Sequence, residues 1–466
     1  MSIATADPHQ EKREMMTTVR VEPLILKLAL PTVAIMMVSS FYNMADTYFV
    51  STLGTSAVAA VGIAHPIMSI IHAIGIFFGQ GAGNSVARML GAGKNEEATV
   101  MASTGCILSF ALTALFVTLP CLLLTEPLAI LMGATPTMLP FARTYFVYIF
   151  LAAPWIAASL VLNSLLRFQG SAFYSMVGMC AGAVINLILD VWFMFILKLG
   201  IGGAALSTMI GEMVSFLLLL AGCFFKDNLR IRLKNVSLKP RYFKEMFRGG
   251  FPALIRNSIG SLSGIVINNV AAGFGDALIA SMSIAQRISV LALSAVGGLG
   301  QGFQPVCGFN YGAGLYSRVK KGFWFCIRIS ALVLLFAALA MAAFAPQLIS
   351  LFRLTDSEVI RLGTRALRLS CLTYPFMGWV TIFGMMLQTM GKTLPASILA
   401  VAWHGLFQLP CVLLLAPLLG ELGVQISSPV SMFLTLLLTV PLAISVFKGL
   451  NQNGAAPPGK LIDGSN

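Results

Sequence analysis

GQGAGNSVARMLGAGKNEEA at residues 79–98 and GQGFQPVCGFNYGAGLYSRVKKG at residues 300–322 open on the same triplet and both reach Gly-Ala-Gly twelve residues on. Shifting the whole chain by 221 residues, without a gap, extends the match in both directions. Pro31 falls on Pro252, Ser40 on Ser261, Gly54 on Gly275 and Ala59 on Ala280, and downstream Pro154 falls on Pro375, Gly170 on Gly391 and Gly202 on Gly423. Glycine and proline mark bends and close approaches. Their recurrence at one offset over two hundred residues therefore indicates a duplicated architecture.

Each copy consists mainly of apolar runs long enough to cross a bilayer. A hydrocarbon core about 30 Å thick needs about 20 apolar residues at about 1.5 Å of rise each. Such runs lie near 28–50, 58–80, 101–124, 141–163, 172–197 and 201–225, and again near 249–272, 278–300, 322–347, 366–388, 394–417 and 422–447. The chain is 58% hydrophobic and 10% charged with mean hydropathy +0.88, which leaves too little polar surface to coat a soluble globule of 466 residues. The fold class expected is an all-α membrane protein of about twelve transmembrane helices in two six-helix lobes.

The net charge of +13 first suggests nucleic acid, but its distribution points to a membrane and to no nucleic-acid partner. One set of alternate connections holds Lys12, Arg13, Arg20, Lys27, Arg88, Lys94, Arg167, the eight Lys and Arg from Lys226 to Arg248, Arg318, Lys320, Lys321, Lys392, Lys448 and Lys460. The other holds Arg143, Lys198 and the cluster Arg353, Arg361, Arg365 and Arg368. The positive-inside rule then places both termini in the cytoplasm, as twelve spans require. The expected divisions are a tail at 1–27, an N-lobe at 28–225, a linker at 226–248, a C-lobe at 249–447 and a tail at 448–466. No cleavable signal is read before the first span. The eight cysteines are scattered without a CxxC pair, which suits packing better than disulfide or metal chemistry. Two six-span copies of the same orientation form a parallel repeat, the organisation of transporters whose substrate site lies between lobes near the midplane.

An ionisable side chain within the bilayer costs about 2.5 to 3.5 kcal/mol on insertion scales, so each one asks for a reason. Three acids fall there: Asp46 in the first span, Asp190 in the fifth and Glu212 in the sixth. Asn186 stands one turn before Asp190, and Thr208 one turn before Glu212. Carboxylate, amide and hydroxyl oxygens converging in a bundle suit Na⁺, or a carboxyl group that carries a proton. The alternative is a carboxylate paired only to fix packing. No other metal site and no cofactor is expected.

At these residues the chain resembles the multidrug and toxic compound extrusion family. The likeness covers nearly the whole length and is most specific at 28–62, 79–98, 250–289 and 300–322. In the branch named DinF, a cation site uses an Asp of the first span, an Asn and an Asp four apart on the fifth, and a Thr of the sixth. The matching positions are Asp46, Asn186, Asp190 and Thr208. The resemblance implies an antiporter, not an enzyme, in which H⁺ or Na⁺ drives export of amphipathic, often cationic drugs from a bacterial inner membrane by a monomer. Other members place a Glu and an Asp in the second lobe. Here Arg256 and Asn257 open the seventh span, while Asp276, Asp356, Glu358 and Glu421 fall near helix ends. Glu212 departs from the pattern, as a third acid of the site or the partner of a base.

Candidate cavity residues are Asn43, Arg256, Asn257, Asn268, Asn269, Gln286 and Arg287. Arg256 and Arg328 lie close enough to cytoplasmic ends for snorkelling. Arg287 has no such exit, and either lines the cavity or pairs with an acid. His65 and His72 flank Pro66 in the second span and suit interhelical hydrogen bonding better than a metal pair. Gly391-Lys392-Thr393 imitates the end of a phosphate loop, but the upstream glycine position holds Met386, and the Gly79 triplet follows no strand. A flippase for lipid-linked precursors is the alternative function. It calls for a strongly cationic cavity, for which only Arg287 and Arg256 are at hand. Shifted by 221, Asp46 lands on Ile267, Asn186 on Phe407, Asp190 on Cys411, Thr208 on Pro429 and Glu212 on Phe433, so ion coupling is expected in the first lobe alone.

Overall fold

The computed structural model describes residues 8–225, 228–351 and 356–453, apart from the side chains of Pro8, Asn43, Met44, Thr47, Thr55 and Asn453. Among the described residues there is no strand. The first half holds α1 (Pro8–Thr18), α2 (Val21–Ser51), α3 (Thr55–Gly91), α4 (Asn95–Thr113), α5 (Leu119–Leu123), α6 (Thr125–Leu131), α7 (Leu139–Phe168), α8 (Ala172–Asp190) and α9 (Ile201–Gly222). The second holds α10 (Pro240–Ala272), α11 (Asp276–Gly312), α12 (Tyr316–Ala343), α13 (Ala345–Ser350), α14 (Ser357–Cys371), α15 (Tyr374–Thr389), α16 (Thr393–Val401), α17 (Gln408–Leu419) and α18 (Glu421–Asn453). π-helical turns at Ala114–Thr118, Val191–Ile196 and Ala402–Phe407 join α4 to α5, extend α8 and join α16 to α17.

Each of the twelve apolar runs lies on helix, and ten helices have the length and apolarity of a membrane span. An eleventh is the pair α14 and α15, bent by 56°. The tenth run was expected as one span from 366. The break falls where Pro375 opens α15 and has no N–H for the preceding turn, and the two helices differ: α14 is strongly amphipathic, with Arg361, Arg365 and Arg368 on it, whereas α15 is apolar. Arg353 lies outside the described residues. The remaining helix, α10, is long enough but carries Arg256, Asn257, Asn268 and Asn269 among its apolar residues. Within the expected N-terminal tail and linker, 8–18, 21–27 and 240–248 are already helical, and 233–235 form a 3₁₀ turn.

The duplication is visible in the backbone. Positive φ angles, which glycine alone adopts freely, recur in pairs: Gly54 (102°) with Gly275 (103°), Gly93 (77°) with Gly314 (75°), and Gly170 (82°) with Gly391 (74°). Behind Gly93, Lys94 N–H donates to Met89 O at 2.9 Å, and behind Gly314, Leu315 N–H donates to Asn310 O at 2.8 Å. These bonds close the helix ends with the left-handed cap that such a turn requires.

The chain divides into two compact units, one of residues 1–19 and 30–250, the other of 20–29 and 251–466. In the first, α7 is the central helix: 72% of its apolar window is buried, against 22 to 39% for the other spans of that unit. It packs along α3 and α9, and α8 pairs with α9. In the second unit α11 packs on α12, α14 and α15, and α17 on α18.

The Gly-Gln-Gly triplets are packing seats. A Cβ at Gly81 would lie 2.3 Å from Met246 O, and one at Gly302 2.6 Å from Ala29 Cα. A side chain at either position is incompatible with the helix laid across it.

Candidate cation site of the first unit

Close packing of α8 on α9 creates the site. A Cβ at Gly182 would lie 2.7 Å from Gly211 O, and one at Gly211 would lie 2.8 Å from Asn186 Cβ. Only glycine permits this approach, and it brings the polar residues of the two helices within bonding distance. Asn186 Nδ2–H donates to Thr208 Oγ1 at 3.2 Å, and Ser207 Oγ–H donates to Asp190 Oδ1. Both hydroxyls also lie against Ala204 O, at 2.9 and 3.0 Å. Asp190 is fully buried, Asn186 is 2% exposed and Thr208 7%.

Two acceptors in this cluster, Asn186 Oδ1 and Asp190 Oδ2, have no hydrogen-bond partner among the described residues. A buried unsatisfied acceptor costs about 1 to 3 kcal/mol, more when charged. The pair therefore favours a species that these oxygens can bind: a proton on Asp190, or a small cation between them. Asp190 closes α8 at its junction with the π turn Val191–Ile196, a deformation that recurs at functional sites.

Asp46 on α2 lies within electrostatic reach of Asp190, and both act on the phenol of Tyr145 on α7. Tyr42, one turn before Asp46, lies near Thr208 and within electrostatic reach of Asp46 and Glu212. The structure thus joins Asn186, Asp190, Ser207 and Thr208 in one hydrogen-bonded cluster, with Asp46 within electrostatic reach of Asp190 and Glu212 within reach of Tyr42. Sequence reasoning missed Tyr42, Tyr145 and Ser207. The available signals were Tyr42 at i−4 from Asp46 and a hydroxyl directly before Thr208.

The cavity candidates are joined to one another by no hydrogen bond among the described residues. Asn43 has its side chain outside the described residues, and the other six belong to the second unit. Asn257, Asn268, Asn269, Gln286 and Arg287 are exposed. Arg256 is half-buried within reach of His404, whose Nδ1 is 2.8 Å from Gln408 Oε1. α10 begins at Pro240, so Arg256 stands about 24 Å along the helix and about 10 Å into its apolar run. The histidines of the second span also differ from expectation. His72 Nδ1 bonds Met68 O of its own helix at 2.8 Å, an i−4 carbonyl that lies directly beneath the ring. Among the described residues no three His, Cys, Asp or Glu are grouped to hold a metal ion.

The MatE family model matches residues 31–192 and 252–414, one match in each copy of the repeat. The chain belongs to the MatE family. This MatE chain is 28% identical over 404 residues to the multidrug export protein MepA of Staphylococcus saprophyticus, covering 86% of this chain and 88% of that protein. To MepA of Staphylococcus aureus strain MSSA476 it is 27% identical over 406 residues, with the same coverage. Among solved structures it is similar to an outward-facing multidrug resistance MATE family transporter of the MOP superfamily. There the TM-score is 0.87 and the identity 26%, over 94% of this chain and 98% of that one. A MATE structure in the bent conformation matches with TM-score 0.88 and 26% identity, over 97% of this chain and all of that one.

Proposed function

We propose that this MatE protein is a multi-pass secondary antiporter of the DinF-like branch. It exports amphipathic, often cationic drugs from a bacterial inner membrane in exchange for H⁺ or Na⁺, as a monomer with both termini in the cytoplasm. MepA and the outward-facing relative, both multidrug proteins by name, support drug export as the activity. One observation carries the coupling half of the reading: the orphaned, buried oxygens Asn186 Oδ1 and Asp190 Oδ2 face a site already rich in carboxylate.

Asp46 and Asp190 cannot both remain ionised at low cost so near each other without a compensating cation. A proton on either carboxyl, or Na⁺ among the oxygens of Asp46, Asn186, Asp190 and Thr208, removes that penalty. Glu212, reaching the same tyrosine as Asp46, adds a third negative charge that strengthens the attraction. Cation entry then favours the lobe arrangement from which drug leaves, and by linkage drug binding weakens cation binding by the same factor.

The test is efflux from proteoliposomes with a pH gradient or a Na⁺ gradient imposed separately. One gradient alone should drive export by the wild type, and Asp46→Asn and Asp190→Asn should abolish it while the variants remain in the membrane. Unchanged efflux by both variants would exclude the site.

A further inference from the structure

From the connection after α9 into the opening turns of α10, large apolar residues are each followed directly by a base: Leu233-Lys234, Leu238-Lys239, Phe243-Lys244 and Phe247-Arg248. The whole segment belongs to the first unit. Its inward side is filled by other residues, since Leu229, Ile231, Tyr242 and Met246 are buried. The four paired apolar side chains point outward, with Leu233 78% exposed and Leu238 68%.

Hydrogen bonds fix the depth of this segment. Leu229 N–H donates to Gln169 Oε1 at 2.7 Å, Arg232 N–H to Ser103 Oγ at 3.3 Å and Ser237 N–H to Thr104 Oγ1 at 3.0 Å. Ser103 and Thr104 are fully buried. Ser103 comes eight residues after Asn95, about 12 Å along α4. The helical run from Asn95 to Leu123 has 29 residues and so spans about 43 Å, which leaves about 13 Å outside a hydrocarbon core about 30 Å thick. Even if all of that excess lay at this end, Ser103 would stand at the edge of the core. The chain then returns towards the start of α4, where Arg241 pairs with Glu97. Residues 232–237 are thus strapped to α4 at the level where hydrocarbon begins, not in the water beyond the helix end.

The charge on this strap is unbalanced. Arg230, Arg232, Lys234, Lys239 and Lys244 are exposed and have no ion pair among the described residues. The one acid of 228–248, Glu245, is held by Arg88 at 2.8 Å and Arg248 at 2.9 Å. A loop standing in water has no use for four large apolar side chains on its outer side, and one sunk in hydrocarbon could not carry five unpaired cations. Together they are the composition of a surface lying in the headgroup layer, where Leu and Phe enter the acyl boundary and the Lys and Arg stems reach up to phosphate.

We infer that residues 230–248 form a docking surface for the anionic phospholipid headgroups of the adjoining leaflet, the cytoplasmic one in the orientation proposed above. The connection between the two repeats is thereby held to the membrane surface. The inference rests on the membrane location of the chain and not on drug export.

The test is hydrogen exchange, read by mass spectrometry on the full-length protein in nanodiscs of phosphatidylcholine or of phosphatidylglycerol. Peptides covering 230–244 should exchange several-fold more slowly in phosphatidylglycerol, while the connection at 132–138, beyond the far end of α4, should exchange alike in both. This comparison needs no variant to fold. Lys234→Gln, Lys239→Gln and Lys244→Gln combined should remove the difference, because one base at an anionic surface is worth about fivefold in binding and three about a hundredfold. Leu233→Ser with Leu238→Ser should speed exchange of the segment in both lipids and keep the preference. Equal exchange of the wild type in the two lipids, the outcome if this surface serves a soluble acidic protein instead, would overturn the proposal. So would equal slowing at 132–138, a preference that survives the triple variant, or protection unaffected by loss of the two leucines. The measurement uses neither drug nor gradient, so its outcome and that of the efflux assay are independent.

Discussion

Replacing Gly211 by alanine tests whether helix packing sets the cation site. The new methyl would lie 2.8 Å from Asn186 Cβ, where carbon atoms ordinarily rest about 3.5 to 4.0 Å apart. α8 and α9 must therefore separate by about 0.8 Å at that level, because both contacting atoms are fixed to backbone. The Asn186 to Thr208 bond, now 3.2 Å, would lengthen to about 4 Å and cease to be a hydrogen bond. Overpacking costs about 1 to 3 kcal/mol and the lost buried bond about 1 kcal/mol, against a gain of about 1 kcal/mol from alanine's helix propensity. The net loss, about 1 to 3 kcal/mol, leaves the protein folded but displaces two of the cation's ligands. The ion concentration giving half-maximal efflux in proteoliposomes should rise about tenfold, equivalent to about 1.4 kcal/mol, with the maximal rate largely retained. Gly264→Ala is the control, since a Cβ there meets nothing within 4 Å. An unchanged half-saturating concentration in Gly211→Ala would refute the claim that this contact sets the site.

Gly81→Ala and Gly302→Ala, whose methyls would lie 2.3 Å from Met246 O and 2.6 Å from Ala29 Cα, should each lower the melting temperature by several degrees or abolish membrane expression. Arg88 pairs with Glu245 at 2.8 Å and donates to Ser85 at 3.1 Å, with its side chain only 14% exposed. Arg88→Ala should cost about 1 to 3 kcal/mol in thermal stability, whereas Glu126→Gln, which loses only the exposed 3.8 Å pair with Arg143, should cost under about 1 kcal/mol. Lys12 ties α1 to Ser171 at 2.6 Å and Asn228 at 2.7 Å, so Lys12→Ala should accelerate tryptic cleavage at Arg13 several-fold without changing the size-exclusion profile.

The sequence reveals the fold because its governing signals are local or periodic. Apolar length marks spans, and glycines that must adopt positive φ mark the turns between them. What escapes it depends on how two helices register. Ser207 reaches Asp190 rather than pointing elsewhere because Gly182 and Gly211 set α8 at one height and distance against α9. Nothing in either helix's own pattern reveals that height. The same holds for Tyr42, which reads as an ordinary aromatic until α2 is laid beside Thr208. The break between α14 and α15 was concealed for another reason. A hydropathy run averages over α14's polar face, and the demand that Arg365 reach Gln425 at 2.6 Å is a tertiary one. His72 was misread because a histidine's partners are not encoded in its neighbours' hydropathy.

The duplication constrains packing and chemistry differently. Unit two includes residues 20–29 and unit one includes 241–250, the same segment of each copy under the 221-residue offset. The opening turns of each repeat's first long helix therefore group with the other repeat. Gly302 provides the seat in one case and Gly81 in the other, so a side chain at either would disrupt one of the two units. Steric selection thus acts on both copies alike and keeps their glycines matched. A coupling site is under no such demand. If the carboxylate cluster of the first unit binds the driving ion as proposed, one suffices, and a second would add the cost of further ionisable groups in the bilayer without need. The positions equivalent to Asp46, Asp190 and Glu212 are Ile267, Cys411 and Phe433, apolar residues that avoid this cost. Freed from carrying acids, the second unit carries Arg256 and Arg287, which have no ion pair among the described residues. Placed opposite Asp46 and Asp190 in one symmetric site, those arginines would instead pair with the acids and compete with the cation.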